Sequence, residues 1–221
     1  MNLLTKKKLL TIPIAAVACL VGLVMKSKFG GDWYEFLGFV TGVVGVYLVA
    51  IEHIANWPIG LVNVATYGYV FYNSRLYADM SLQVFFFALG VMGWYAWLHG
   101  GNNKTELQIT SIKKIQWLWL VLALVIGTAI YYPIIHHFNG AAPFVDSMLT
   151  VTSILAQLLL NFKRLENWIL WIFVDIVYIP LYISRQLYST AILYAIFLVI
   201  AISGLISWRT TYKELNAECS A

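Results

Sequence analysis

One stretch of the sequence combines a carboxylate with four aromatic rings at helical spacing. Trp168, Trp171, Asp175, Tyr178 and Tyr182 follow one another at intervals of three and four residues. In an α-helix this spacing places all five side chains on one face. Aromatic rings can stack on a flat ligand, and a carboxylate accepts hydrogen bonds from hydroxyl or amide groups. The face therefore predicts a ligand slot, and the alternative is that Asp175 fastens two helices together through a hydrogen bond.

A second group of polar and aromatic side chains lies earlier in the chain. Asn63 and Tyr67 share one helical face, and Gln83 and Phe86 share another. An amide side chain both donates and accepts hydrogen bonds, which suits a ligand that carries a carboxamide. For Gln83 the alternative is a contact to backbone beside a packing stripe of aromatic rings. We predict substrate contacts from eight residues: Asn63, Tyr67, Gln83, Phe86, Trp168, Trp171, Asp175 and Tyr178.

The composition identifies the surroundings of these side chains. The chain has 221 residues, of which 61% are hydrophobic and only 11% charged, so it cannot cover a water-exposed surface. Its apolar runs approach the roughly 20 residues that a helix needs to cross hydrocarbon. We predict one all-α integral membrane domain over 1–221 that spans the lipid bilayer eight times. Membrane orientation explains the net charge of +4, and nucleic acid is not an expected partner.

Part of the sequence is duplicated. The two copies are related by the separation in sequence between Asn56 and Asn167, which is called here the repeat offset. Shared landmarks recur at this offset in both copies: Asn56-Trp57 and Asn167-Trp168, Leu76-Tyr77 and Leu187-Tyr188, Gly93 and Gly204, Trp97 and Trp208. A duplicated hydrophobic bundle is typical of transporters, because two similar halves can rock against a site held between them. We therefore predict a transporter, and a membrane-embedded enzyme or receptor is the alternative class.

The predicted spans divide into unequal parts. They are an extra helix at 9–25, a first triple-helix repeat at 35–98, a linker helix at 115–136, a second triple-helix repeat at 142–208 and a cytoplasmic tail at 209–221. An offset of one three-span unit plus one linker helix preserves orientation, so we predict parallel repeats. The alternative for the first run is a cleaved signal peptide. The run continues to Met25 without a small-residue cleavage site, so we expect a retained helix.

Basic residues predict the orientation in the membrane. With the amino terminus inside, the inner segments hold ten of the 14 Lys and Arg residues and the outer loops hold the other four. The positive-inside rule then places both termini in the cytoplasm. Trp97 and Trp208 fall at the inner boundary of the membrane, where we expect them in the aromatic belt.

Several chemistries are disfavoured by residues that the spans lack. No Lys or Arg falls in the middle of a predicted span, which disfavours a strongly anionic substrate. The four histidines fall near span ends without a zinc-binding pattern, and no glycine-rich phosphate loop is present. We expect no catalytic residues, no metal site, no cofactor and no direct use of ATP.

Three stretches of this sequence carry a resemblance to a known family. Asn56-Trp57-Pro58-Ile59-Gly60-Leu61-Val62-Asn63, the segment 77–83 followed by 93–95, and the segment 166–175 resemble the motifs of the PnuC family of vitamin B3 transporters. The likeness runs over roughly 35–209. It implies a homotrimer with the three-one-three fold of the SWEET sugar transporters in the bacterial cytoplasmic membrane. It also implies uptake of nicotinamide riboside by facilitated diffusion, with trapping by cytoplasmic phosphorylation.

The resemblance also implies roles for the predicted site residues. Trp168, Trp171 and Tyr178 would stack on the pyridinium ring, an attraction of about 0.5–2 kcal/mol. Asp175 would accept protons from ribose hydroxyls and offset the positive charge of the ligand. The two amide side chains would read the carboxamide or the ribose. Thiamine, riboflavin or a sugar, carried on the same fold, remain the alternative substrates.

Overall fold

The computed structural model describes residues 11–29, 32–73, 77–137 and 142–218. Within these ranges the chain forms eight α-helices of 18 or more residues. In chain order they are α1 (Thr11–Phe29), α2 (Trp33–Ala50), α3 (Asn56–Asn73), α4 (Tyr77–His99), α5 (Lys114–His137), α6 (Pro143–Asn161), α7 (Asn167–Ser184) and α8 (Tyr188–Glu218). A single 3-10 turn, Asn102–Lys104, lies in the segment that joins α4 to α5.

Six of the described helices, α2 and α4 to α8, are long and apolar enough to cross a membrane. The surface of α5 is apolar as well as exposed. The large side chains of Leu118, Trp119 and Ile130 on it are 62%, 63% and 63% exposed. Large apolar side chains exposed together in this way are stable in lipid and not in water. The predicted membrane helical bundle is confirmed, and the assignment of α1 and α3 as two further spans stays a prediction.

Two helices extend beyond their predicted ends. α1 continues to Phe29, four residues past the predicted end at 25. α8 continues to Glu218 and so runs through most of the segment predicted as a tail at 209–221, of which 219–221 lie outside the described residues. The extension of α8 has a packing reason, since Tyr212 packs against the buried core of the bundle.

The packing of the helices repeats itself. α2, α3 and α4 pack in sequence, as do α6, α7 and α8. The two triplets, called here the first unit and the second unit, meet through α2 against α8 and through α6 against α4. These two contacts are counterparts of each other at the repeat offset. α1 packs on α2 in the same way that α5 packs on α6, so the extra helix and the linker helix occupy equivalent places.

The turns that precede α3 and α7 have the same backbone structure. Glu52 and Lys163 adopt positive φ angles of 57° and 47°, a conformation that costs a non-glycine residue about 1–3 kcal/mol. Asn56 and Asn167 then donate side-chain hydrogen bonds of 2.8 Å and 2.6 Å to the carbonyl three residues earlier. The repeat therefore extends to backbone conformation. Since Glu52 and Lys163 are in contact, both turns lie at the same end of the bundle.

Candidate functional site

The polar and aromatic face of α7 points into the bundle. Trp168 is 1% exposed and Asp175 is 3% exposed. On the opposite side of the same helix, Ile169, Phe173 and Ile176 are exposed. The inward direction of this face follows the three-and-four spacing, because one stripe of a helix packs against protein while the other faces the surrounding medium.

Aromatic rings from α7 and α8 pack together on the face of α7 that carries Asp175. The rings of Tyr178 and Tyr182 stack with their centroids 5.2 Å apart. Tyr194 of α8 lies 4.8 Å from the ring of Tyr178 and 5.2 Å from that of Tyr182, and it interacts electrostatically with Asp175. Phe197, one turn further along α8, contacts Tyr194 edge-on at 5.7 Å. The result is an aromatic wall beside a buried carboxylate.

Asp175 has no hydrogen-bonding or ionic partner among the residues that the structure describes. Burying an acid in this way is costly unless another group compensates. Its contact across the helix boundary is the electrostatic interaction with Tyr194 of α8. The binding of a ligand by Asp175 stays a prediction.

Sequence reasoning missed Tyr194 and Phe197, although the repeat contains the signal that locates them. Tyr194 is the counterpart of Gln83 at the repeat offset, and Phe197 is the counterpart of Phe86. Both earlier residues were predicted to contact substrate, so their counterparts on α8 qualify by the same argument. Gln83 packs against α3, because its Cβ lies 3.6 Å from the position that a Cβ on Gly68 would occupy. Phe86 is half-buried on α4.

The α3 side of the bundle is held in place by α2. The amide of Asn63 donates to the carbonyl of Gly38 at 2.7 Å and to the hydroxyl of Thr41 at 3.0 Å. Both donors of the amide are thereby committed to α2. Tyr67 stacks on Phe71 with centroids 5.9 Å apart, and its ring lies close to the backbone of Gly38. α2 therefore fixes the orientation of both predicted site residues on α3.

The middle helices of the two units do not pack extensively against each other. α3 and α7 are not among the packed helix pairs of the described chain. On α3, a Cβ added to Gly60 meets nothing within 4 Å. The counterpart of Gly60 is Trp171, which is half-buried on α7. The two units therefore differ at this position, with open space beside the small residue of α3 and a large ring on α7.

Four tryptophans form a cluster at the end of the bundle that carries the turns before α3 and α7. We call this the tryptophan end; its rings are Trp57, Trp97, Trp168 and Trp208. Trp57 meets Trp97 edge-on at 5.3 Å, and the counterparts Trp168 and Trp208 do so at 5.5 Å. Trp97 and Trp208 are 3% and 0% exposed, so the prediction that they belong to an aromatic belt was wrong. Cross-unit packing removes both rings from the lipid.

Trp168 is a member of this cluster as well as a predicted substrate contact. It lies seven residues before Asp175, which is about 10 Å along a helix. Its ring packs against Gly204, where an added Cβ would approach to 2.6 Å. Its indole N–H, like that of Trp57, has no partner among the described residues. The location gives Trp168 a packing role, and its contact with substrate stays a prediction.

The described residues contain no group of three or more His, Cys, Asp and Glu side chains that could hold a metal ion. The predicted site residues offer aromatic faces, one carboxylate, two amides and the hydroxyls of the tyrosines. Such a set can bind and orient a polar aromatic ligand.

The sequence profile described as nicotinamide mononucleotide transporter matches residues 32–210. The chain belongs to this family. The match covers the first unit, the linker helix and the second unit as far as residue 210 in α8. Membership confirms the predicted resemblance, and it confirms that the chain is a membrane transporter rather than an enzyme.

Individual members of the family agree with this assignment. The chain is 30% identical to the nicotinamide riboside transporter PnuC of Escherichia coli (strain K12), over 83% of this chain and 87% of that one. It is 31% identical to the PnuC protein of Neisseria mucosa, over 85% and 76% of the two chains. A riboflavin/roseoflavin transporter, RibM of Streptomyces davaonensis, is 21% identical over 80% and 84%.

A solved structure extends the comparison to the fold. The structure described as the crystal structure of the vitamin B3 transporter PnuC superposes with a TM-score of 0.76 at 27% identity. The superposition covers 97% of this chain and 99% of that one. The family resemblance therefore holds for the arrangement of the helices as well as for the motifs.

Proposed function

We propose that this protein takes up nicotinamide riboside by facilitated diffusion, through alternating access of a site between the two units. One observation carries the proposal: a buried carboxylate, Asp175, lies against an aromatic wall in a chain that is 30% identical to a nicotinamide riboside transporter. Nicotinamide riboside joins a cationic aromatic ring to a ribose. The wall suits the ring, and the acid suits both the charge and the hydroxyls.

Charge favours the riboside over its phosphorylated form. A phosphate in this space would stand near the carboxylate of Asp175, and like charges repel strongly where water is excluded. The buried cation of the described chain, Lys163, is already paired with Glu52 at 3.1 Å. Phosphorylation in the cytoplasm would then prevent return of the product through the site.

The predicted contacts of the ligand come from both units. We propose that Trp171 and Tyr178, with Tyr194 added from α8, shape the slot for the ring. Asp175 accepts ribose hydroxyl protons and offsets the charge. The remaining predicted contacts are Asn63, Tyr67, Gln83, Phe86 and Trp168.

For the architecture we propose eight spans in a parallel, SWEET-like three-one-three plan with α1 as the extra helix. The matched contacts of α2 with α8 and of α6 with α4 support this plan. The tryptophan end would face the cytoplasm of a bacterium, with both termini inside, because basic residues are enriched there: Lys104, Lys113, Lys114, Lys163 and Arg164.

We also propose a homotrimer, as the family resemblance implies. Light scattering of the purified protein in detergent, corrected for bound detergent, should give three times the chain mass of 25.0 kDa. A mass of one or two chains would contradict this part of the proposal.

The transport proposal is tested in liposomes without any ion gradient. Labelled nicotinamide riboside should enter vesicles that contain the protein, and agents that dissipate proton or sodium gradients should leave the rate unchanged. Unlabelled nicotinamide riboside should compete, whereas thiamine, riboflavin and glucose should not. Uptake equal to that of empty vesicles would refute the function, and competition by riboflavin alone would reassign the substrate.

A further inference from the structure

An ion pair joins the two units at the tryptophan end. The ammonium nitrogen of Lys163 lies 3.1 Å from a carboxylate oxygen of Glu52, and the two side chains are 9% and 23% exposed. The two positions are separated by the repeat offset, so the partners are repeat counterparts of each other. A direct bond between counterparts places the pair where the axis relating the units passes through the protein. Neither the predicted substrate contacts nor the family motifs include these two residues.

Further hydrogen bonds between the units surround this pair. The indole of Trp97 donates to the carbonyl of Leu160 at 3.1 Å, and that of Trp208 donates to the carbonyl of Val49 at 3.2 Å. These two bonds are also counterparts of each other at the repeat offset. The ammonium of Lys163 lies 4.5 Å from the centre of the Trp97 ring. The units are therefore fastened together at this end in the described conformation.

We propose that Glu52 and Lys163 form a latch for the gate at the tryptophan end. The latch is closed when the two are paired, and it opens when the units separate to release substrate on that side. This inference rests on the proposed transport function, because it assigns residues to one step of that cycle. It adds two residues that hold and release the gate without touching the substrate.

The chemistry of the pair suits repeated opening. While the end is closed and water is largely excluded, the attraction between the two charges is strong. When the end opens, water solvates both charges, which recovers the hydration that burial had removed. The indole hydrogen bonds behave in the same way, because water replaces each lost partner. The closed state is thus held firmly, and the open state is not penalised by unpaired charge.

Counterpart positions make a specific test possible. Because 52 and 163 are exchanged by the axis, a double variant E52K/K163E should rebuild the pair in the same place. Each single variant, E52K or K163E, instead puts two like charges together at a closed interface. We expect each single change to lower uptake of labelled nicotinamide riboside about tenfold or more, and the double change to restore it to within about threefold of the parent.

A second readout does not depend on transport. Ala50 is 4% exposed at the tryptophan end, so a cysteine there reports opening of the gate in a background where Cys19 and Cys219 are serine. Labelling of A50C by a water-soluble maleimide on detergent-solubilised protein should be about tenfold faster with E52K or K163E, and it should return close to the parent rate in the double variant. The control is D146N, which breaks the ion pair of Asp146 with Arg185 near the other end of α6 and α7 and should leave the rate unchanged.

The outcomes separate the latch from the transport function. If the single variants label and transport like the parent, or if the double variant is as impaired as the singles in both readouts, the latch is wrong. A parent that neither binds nor carries nicotinamide riboside would refute the proposed function. The labelling pattern of the four proteins would still support or overturn the latch, because that readout needs no substrate. Size-exclusion profiles identify any single variant that fails to fold. If such a variant folds again when the second change is added in E52K/K163E, that recovery supports the pairing.

Discussion

Trp97 and Trp208 each donate an indole hydrogen bond to a backbone carbonyl of the opposite unit, at 3.1 Å and 3.2 Å. The two bonds are counterparts at the repeat offset, so separation of the units at this end would break both. By contrast, the indole N–H groups of Trp57 and Trp168 have no partner among the described residues. The four tryptophans of this cluster therefore differ in whether the indole N–H forms a hydrogen bond.

This difference predicts unequal effects of tryptophan-to-phenylalanine changes. Trp97→Phe and Trp208→Phe each remove a buried hydrogen bond, which contributes about 0.5–1.5 kcal/mol to stability. Trp57→Phe and Trp168→Phe remove an unpaired buried donor, so part of their packing loss is offset. We expect the first two variants to melt about 2–4 °C below the second two in detergent. Equal melting temperatures in all four variants would show that the cross-unit hydrogen bonds do not stabilise the fold.

The charge of Asp175 is predicted to contribute to ligand affinity. Asp175→Asn keeps the size of the side chain and a hydrogen-bond acceptor but removes the charge, and Asp175→Ala removes both. We expect each to weaken binding of nicotinamide riboside about tenfold or more, which corresponds to about 1.4 kcal/mol. Isothermal titration calorimetry measures the change. An affinity within a factor of two of the parent for both variants would remove Asp175 from the site.

The open space beside Gly60 predicts opposite effects of two substitutions there. Gly60→Ala meets nothing within 4 Å, and alanine favours a helix over glycine by about 1 kcal/mol, so stability and binding should be kept or improved. Gly60→Trp copies the counterpart Trp171 and should fill the space that the ligand needs, which lowers affinity about tenfold or more.

Gly93→Ala is the matched comparison for Gly60→Ala. Its added Cβ would approach the Trp57 ring to 2.1 Å, so this variant should lose stability where Gly60→Ala does not. Thermal melting and calorimetry of the three variants check the set. Normal affinity in Gly60→Trp would show that the space is not part of the ligand path.

Tyr194 is predicted to act through its ring. Tyr194→Phe keeps the contacts to Tyr178 and Tyr182, whereas Tyr194→Leu removes the aromatic face that closes the wall. An aromatic pair contributes about 0.5–1.5 kcal/mol beyond its buried area. We therefore expect Tyr194→Leu to weaken binding of nicotinamide riboside several-fold more than Tyr194→Phe does, measured by calorimetry. Equal losses would assign the effect to the hydroxyl near Asp175 instead.

Periodicity and composition predicted the parts of the structure that depend on neighbouring residues in sequence. The inward face of α7, from Trp168 to Tyr182, follows from its three-and-four spacing, and the membrane helices follow from apolar runs. The repeat offset likewise identified the landmarks that now lie at matching places, such as Gly93 and Gly204 against their tryptophans. These signals are local or repeated, so one sequence contains them.

Features that depend on contacts between the units could not be read from the spacing. Trp97 and Trp208 were assigned to the lipid boundary, because their depth was visible in the sequence but their cross-unit partners were not. The pairing of Glu52 with Lys163 is also not visible in the sequence, since charges at span ends normally face water or lipid headgroups. Tyr194 does not stand out in the sequence, because an aromatic residue in an apolar helix gives no local sign of the acid beside it.

Calorimetric titration of the purified protein with nicotinamide riboside and, separately, with nicotinamide mononucleotide tests the central claim most directly. A slot of aromatic rings around the acid of α7 should bind the riboside at one site per chain and should bind the mononucleotide at least about tenfold more weakly. No detectable binding of the riboside, or equal affinity for the two compounds, would contradict the account.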